Sequence, residues 1–263
     1  MAFIEIEKLH KGYCERRRRA RTDDGESCFG QEITVLDDIN LQFEQGELVT
    51  ILGPSGCGKS TMLRLIAGFD PDFSGLVKVA GKPVHGPSNE SIFVFQHNGL
   101  MPWLTVQENV ELGIRFQDKL ERAEAAALFI GMVELDGFEE HYPHQLSIGM
   151  QRRAELARAL VVSPELLIMD EPFSGLDFLT HMKIREEVVN MHQFFHQTIL
   201  LVTHNIDDAL IMGDRVVVLG DRPTSVKLDR RLDFDHPRDP KTQAGLQELR
   251  DEIFLMLGVS YAV

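Results

Sequence analysis

Eight residues constrain this chain more than any others: Gly53-Pro54-Ser55-Gly56-Cys57-Gly58-Lys59-Ser60. They follow LVTILG (48–53), an unbroken apolar run of the kind that forms a strand buried on both faces. They precede a helical pattern from Ser60 to Ala67, with Gly68 in the stop position. G-x-x-x-x-G-K-[ST] between a strand and a helix is a phosphate cradle. Its glycines let backbone N–H groups wrap phosphate oxygens, and the helix N-terminus adds its positive end. In that role Lys59 reaches the β- and γ-phosphates and the Ser60 hydroxyl ligates Mg²⁺. The expected nucleotide-binding stretch is Gly53, Pro54, Ser55, Gly56, Cys57, Gly58, Lys59, Ser60 and Thr61. Cys57 stands beside Lys59 and near a helix start, both of which favour thiolate. It is therefore expected to react with a maleimide and to be shielded by bound nucleotide.

Around this loop the sequence alternates strand and helix signals. Residues 3–7 and 33–43 alternate apolar and polar, as half-buried strands do. Apolar strand candidates recur at 76–79, 92–95, 166–169, 199–202 and 216–219, with helical patterns near 178–195 and 205–212. That order predicts an α/β fold with a mainly parallel sheet. From about 105 to 163 the periodicity is helical throughout, opened by the capping-box candidate Thr105-x-x-Glu108 and closed by Ser163-Pro164. A helical subdomain inserted into the α/β core is the expectation. Residues 14–32 read as a loop or insertion, with Arg16, Arg17, Arg18, Arg19 and Arg21 followed by acids. Three readings of the arginines stand open: a solvated loop, a contact with an acidic partner surface, and attraction to anionic headgroups. After about 222 the chain turns polar and proline-broken, then ends in an amphipathic helical pattern near 243–257. The expected division is thus a main domain over 1–222 and a C-terminal extension over 223–263.

Composition narrows the function. With 41 acidic and 27 basic residues, the net charge is −14, which argues against a nucleic-acid partner bound through its backbone. Three cysteines, an odd and sparse count, make a disulfide framework unexpected. The N-terminus lacks the apolar core of a signal peptide, and no apolar run approaches the roughly 18 residues of a membrane span. An intracellular, water-soluble protein is expected, one that docks onto something embedded if it works at a membrane.

The second chemical signal is Leu166-Leu167-Ile168-Met169-Asp170-Glu171. Four apolar residues place a carboxylate at the end of a buried strand, where Asp170 can hold Mg²⁺ through water. Glu171, one residue on, is placed to orient or deprotonate an attacking water.

Three further stretches resemble motifs of the ABC-transporter ATPase family, in that family's order: Leu146-Ser147-Ile148-Gly149-Met150-Gln151-Arg152-Arg153, Ser174-Gly175-Leu176-Asp177, and Thr203-His204. They are similar to its signature, D-loop and switch histidine, and the resemblance spans about 3–220. It implies a P-loop ATPase core with a mainly parallel sheet, an antiparallel β subdomain and an inserted helical subdomain. It implies ATP and Mg²⁺ as ligands, with Glu171, His204 and Gln96 catalytic and Ser60, Gln96 and Asp170 at the metal. Tyr13 fits the ring that stacks on adenine, with Phe29 as the alternative ring should the insertion displace it. Ser147 and Gly149 would touch the γ-phosphate of ATP on a second ATPase subunit, and Asp177 would communicate across that dimer, besides being a candidate N-cap. Ile148 stands where the family usually has the first of two glycines. Either that backbone position already suits a β-branched residue, or the signature is weakened, as in a heterodimer with one degenerate site.

Met101-Pro102-Trp103-Leu104-Thr105-Val106, with Glu108-Asn109-Val110, resembles the nitrate/sulfonate/taurine importer branch, as does His236-Pro237-Arg238-Asp239-Pro240. The resemblance makes Trp103 a wall of the groove that receives a permease helix; ordinary core packing is the alternative. The implied protein is the ATPase subunit of an importer for a small anionic solute, peripheral at the cytoplasmic face of the inner membrane. Its implied partners are permease subunits, a second ATPase subunit (identical or related) and, indirectly, a periplasmic or surface solute-binding protein. An exporter or lipoprotein-extraction ATPase is the alternative. A soluble ABC ATPase acting on DNA or ribosomes is a more distant one.

Overall fold

The computed structural model describes residues 2–14, 17–18, 27–28, 32–96, 99–116 and 118–258, with the side chains of 17, 18, 27 and 28 left aside. The chain opens with β1 (Ile4–Cys14), β2 (Arg17–Arg18), β3 (Ser27–Cys28), β4 (Glu32–Phe43) and β5 (Leu48–Leu52). Helix α1 (Lys59–Ile66) is followed by β6 (Ser74–Val79), β7 (Lys82–Pro83) and β8 (Ser91–Val94). The helical middle holds α2 (Val106–Glu111), α3 (Lys119–Met132) and α4 (Ile148–Leu160). Then come β9 (Leu166–Asp170), α5 (Phe178–Phe195), β10 (Thr198–Val202), α6 (Ile206–Met212), β11 (Arg215–Leu219), β12 (Val226–Arg231) and α7 (Ala244–Met256).

Two sheets carry the fold. One is antiparallel, in the order β4-β1-β6-β7. The other has the order β12-β11-β5-β10-β9-β8, with β11, β5, β10, β9 and β8 mutually parallel and β12 antiparallel at the edge. Every residue of β5, β9 and β10 is buried. Successive side chains point to opposite faces of a strand, and the two faces meet different cores. Ile51, Ile168 and Val202 pack with α1 and the antiparallel sheet, whereas Leu167, Met169 and Leu201 pack with the helical middle and α5. These strands are therefore apolar in every position, because neither face meets water.

The helical middle lies where the periodicity puts it. Thr105 closes a capping box on α2: Glu108 N donates to Thr105 Oγ1 at 3.2 Å, and Thr105 N donates to Glu108 Oε2 at 2.9 Å. Elsewhere the structure departs from the sequence reading. The stretch 14–32 is not loop throughout, since β1 runs to Cys14, β4 starts at Glu32, and β2 pairs antiparallel with β3. Arg16, Arg19, Arg21 and Phe29 lie outside the described residues. Cys14 is half of a disulfide, which the cysteine count did not lead one to expect, while Cys57 is free. Beyond 222, where only polar chain and a helix were expected, β12 joins the edge of the main sheet. Leu246, Leu249 and Ile253 of α7 pack against α6 and β11. Trp103 is 70% exposed, which sets aside core packing for that ring.

Candidate functional site

Because β5, β9, β10 and β11 are parallel, the segments that follow them emerge at one edge of the sheet. Ligands of open α/β sheets bind at the carboxyl ends of the strands. Gly53 follows β5, Asp170 ends β9 with Glu171 next, and Thr203-His204 follows β10. The residues singled out in the sequence thus meet at one place for a topological reason.

The phosphate loop connects β5 to α1. Gly56 and Gly58 have φ of +76° and +122°, values that side-chain-bearing residues avoid. A Cβ on Gly58 would also lie 2.8 Å from Val35 Cγ1, so the antiparallel sheet presses on the loop from behind. The buried Lys59 donates from Nζ to the carbonyl oxygens of Gly53 at 2.8 Å and Pro54 at 2.9 Å. Its ammonium is folded over the loop, as a cation waiting for phosphate oxygens would be. Ser55 and Gly56 form the exposed tip, and Thr61 lies in the first turn of α1.

Cys57 reverses its expectation. It is 2% exposed and packs in the core beneath the loop. Burial pushes its thiol up, outweighing the lowering by Lys59. The side chain points away from solvent, so only the backbone of Cys57 belongs to the cradle, and the reactive thiolate is not what the fold builds.

Asp170 is buried, and the Ser60 hydroxyl is near enough to act on its carboxyl. Burial raises the Asp170 carboxyl above its ordinary range, against the lowering by that hydroxyl. A hydroxyl and a carboxylate close together are the hard oxygen donors that suit Mg²⁺. The residues present fit the ion.

Glu171 stands at φ +47°, with its N–H held by Val202 O at 2.9 Å. Its Oε2 accepts from Gln96 Nε2 at 3.3 Å and lies 3.4 Å from His204 Nδ1. One carboxylate oxygen is therefore bracketed by the two side chains that the sequence pointed to from 75 residues upstream and 33 downstream. Tyr13, half-exposed at the end of β1, has Lys11 Nζ 4.8 Å from its ring centroid and Asp70 Oδ2 3.5 Å from its hydroxyl.

The signature residues form a separate group. Ser147 caps α4, its Oγ accepting from Met150 N at 3.3 Å, and Asp177 caps α5, its Oδ1 accepting from Thr180 N at 3.2 Å. Gly149 joins these helix starts: a Cβ there would lie 2.4 Å from Thr180 Cγ2. Ile148 is the first residue of α4, is 67% exposed and does not have positive φ. Its backbone makes no demand for glycine. None of the described hydrogen bonds joins Ser147 or Gly149 to the phosphate loop of the same chain.

Sequence reasoning missed two positioning residues. Arg152, buried in α4, donates to Phe95 O at 2.9 Å and Gln96 O at 2.7 Å, and pairs with buried Glu155. Glu155 Oε1 in turn accepts from Gly99 N at 3.0 Å. The signature helix thus grips the chain at Phe95, Gln96 and Gly99. An Arg and a Glu three apart on a helix with an otherwise apolar inner face were the signal. Thr224, fully buried, donates its hydroxyl to the Cys57 carbonyl, and a lone threonine in a polar stretch gives no such signal.

Comparison with known proteins agrees with this geometry. A family model described as "ABC transporter" matches residues 36–174. The chain is 38% identical to the aliphatic sulfonates import ATP-binding protein SsuB of Bacillus thuringiensis, over 84% of this chain and 87% of that one. It is 41% identical to the nitrate import ATP-binding protein NrtD of Synechocystis, over 80% and 79%. Among solved structures it resembles the dimeric ABC transporter cassette MJ0796, with a TM-score of 0.73 and 32% identity over 88% of this chain and all of that one. A phosphate loop on a parallel sheet, a carboxylate bracketed by glutamine and histidine, a signature on an inserted helical layer and these matches have one common explanation: the chain belongs to the ABC transporter ATP-binding family.

Proposed function

We propose that this chain is the ATP-hydrolysing subunit of an ABC importer for a small anionic solute, of the nitrate, sulfonate or taurine kind. The observation that carries the chemistry is the convergence at one sheet edge of the Lys59 cradle, the Ser60–Asp170 pair, and Glu171 between Gln96 and His204. The printed roles of the sulfonate and nitrate relatives support the direction and class of transport.

In this reading backbone N–H groups of 55–60 and the Lys59 ammonium hold the β- and γ-phosphates, and Tyr13 stacks on the base. Ser60, Asp170 and Gln96 would hold Mg²⁺, which when bound neutralises charge on the phosphates. Glu171 accepts a proton from water as the water oxygen bonds to the γ-phosphorus; the bond to the β–γ bridging oxygen breaks and ADP leaves with that electron pair. His204 donates a hydrogen bond to the γ-phosphate oxygens and keeps Glu171 aimed. Ser147 and Gly149, which none of the described hydrogen bonds joins to their own loop, serve the nucleotide of a second subunit, so two copies close head to tail with Asp177 near the shared boundary. The dimeric form of the MJ0796 cassette supports that arrangement.

Among the described residues no helix is long and apolar enough to cross a membrane. In this reading the subunit is peripheral, held at the cytoplasmic face by permease subunits. Exposed Trp103, seven residues after Gln96 in the chain, suits the wall of the groove that receives a permease helix. Solute choice then belongs to the permease and its binding protein. The test is transport by the complex copurified through this chain and placed in proteoliposomes. ATP-dependent uptake of a small sulfonate or nitrate, lost in Lys59→Ala, is expected. ATP-driven movement in the opposite direction would overturn the importer reading.

A further inference from the structure

The fourth parallel strand of the site edge, β11, carries a segment that the mechanism above leaves idle. Between β11 and β12 the chain turns through Gly220-Asp221-Arg222-Pro223-Thr224-Ser225. Because β11 runs parallel to β5, this turn emerges beside the phosphate loop. It is fastened there from three sides. Gly220 N donates to Ser225 O at 2.9 Å across the turn, and Thr224 N donates to Val35 O at 2.9 Å in β4. The Thr224 hydroxyl donates to the Cys57 carbonyl inside the phosphate loop itself. Val35 is also the residue that presses on Gly58, so turn, loop and β4 form one packed unit.

This fastening sets Arg222 over the exposed tip of the loop. Its Nη2 lies 3.7 Å from the point a Cβ on Gly56 would occupy. Arg222 is exposed, and among the described residues it makes no hydrogen bond and no ion pair. Its positive field reaches into the loop, where it acts on the Cys57 thiol in the same direction as Lys59 does and against neighbouring Asp221. The chain is strongly acidic, with net charge −14. An unpaired guanidinium carried over a loop of phosphate-binding sequence by a fastened turn is the feature in need of a partner, and planar guanidinium suits phosphate oxygens better than a point charge does.

We propose that Arg222 is a further nucleotide-binding residue, a second cation that draws the polyphosphate onto the loop and holds it from the β11 side. This rests on the reading of 53–61 as an ATP site. It predicts an effect that grows with phosphate charge and leaves the nucleoside moiety untouched. For a single exposed charge the loss is roughly two- to five-fold in affinity.

The experiment measures binding of ATP, ADP, AMP and adenosine to the full chain by calorimetry, in wild type, Arg222→Gln and Arg222→Lys, at low and high salt. Thermal melting of each variant shows that it is folded. The expected result is that Arg222→Gln weakens ATP roughly two- to five-fold at low salt, ADP less and AMP less again, with Arg222→Lys intermediate. Near 1 M salt, where the screening length falls to about 3 Å, wild type and variant should converge. Equal ATP affinity in wild type and Arg222→Gln overturns the proposal, as does a loss that is the same for all four ligands, which marks a merely structural role. Absence of ATP binding by folded wild type would instead strike the reading of the loop itself.

Discussion

Glu171→Gln separates chemistry from everything else this carboxylate does. Glutamine keeps the shape and can still meet Gln96 and His204, now at 3.3 and 3.4 Å from Oε2, through its amide. It cannot take a proton. Removing a general base slows the step by roughly 10²–10⁴-fold, or about 3–5 kcal/mol at about 1.4 kcal/mol per decade. Folding should be nearly untouched, because the backbone at φ +47° is as costly for Gln as for Glu. The left-handed conformation costs a side-chain-bearing residue about 1–2 kcal/mol, and Glu171→Gly would regain that while losing a similar amount to the freer unfolded chain. Both variants should therefore melt close to wild type, both should bind ATP, and both should hydrolyse it far more slowly. Phosphate release with the permease complex present, read beside thermal melting and ATP-dependent dimerisation, gives all three quantities. Wild-type turnover in Glu171→Gln would remove Glu171 from the chemistry. A large fall in melting temperature would show that the bracketed carboxylate is a structural tie instead.

Cys57 should resist maleimide in the folded protein and react only on denaturation, because it is buried and burial raises its pKa; rapid labelling of native Cys57, located by mass spectrometry, contradicts this. Ile148→Gly should leave the ATPase rate unraised, since Ile148 opens α4 in helical conformation with its side chain exposed; a several-fold gain would show that the isoleucine weakens the signature. Arg152→Ala should cost about 1.5–3 kcal/mol in urea unfolding, because buried Glu155 loses its close partner and keeps only Arg158 at 3.9 Å and the Gly99 N–H, and Arg152→Gln with Glu155→Ala should restore most of it; no loss in the single variant would mean that the grip on Phe95 and Gln96 is slack. Burial pushes the Glu187 carboxyl up to about 7 from 4.5, despite nearby Arg153. A raised folded pKa favours the folded state below 4.5, and that advantage is lost as pH rises through about 7. Glu187→Gln, which cannot ionise, should therefore be more stable than wild type at pH 8 by about 1–3 kcal/mol and equal to it near pH 4.5; a difference independent of pH would refute the titration.

Features that repeat locally, or are spelled out in adjacent residues, were legible before any fold was known. Fully apolar runs marked β5, β9 and β10 because both faces of these strands are buried, and side-chain period then ceases to matter. The phosphate loop was legible because its chemistry needs glycines, lysine and serine at fixed spacing next to a strand end. Thr105 and Glu108 announced the start of α2, since a capping box closes within four residues. Features that depend on distant chain segments emerged with the packed fold. Whether Cys57 faced phosphate or core turned on the pressure of β4 against the loop, and it faces the core. That β12 exists at all depended on β11 offering an edge, which a polar hexapeptide such as VKLDRR does not advertise. Arg152 reaches the carbonyl of Gln96 across 56 residues, and Thr224 reaches that of Cys57 across 167. Such bonds join a side chain to a backbone oxygen, and every residue carries a backbone oxygen, so no residue type at the acceptor end records them.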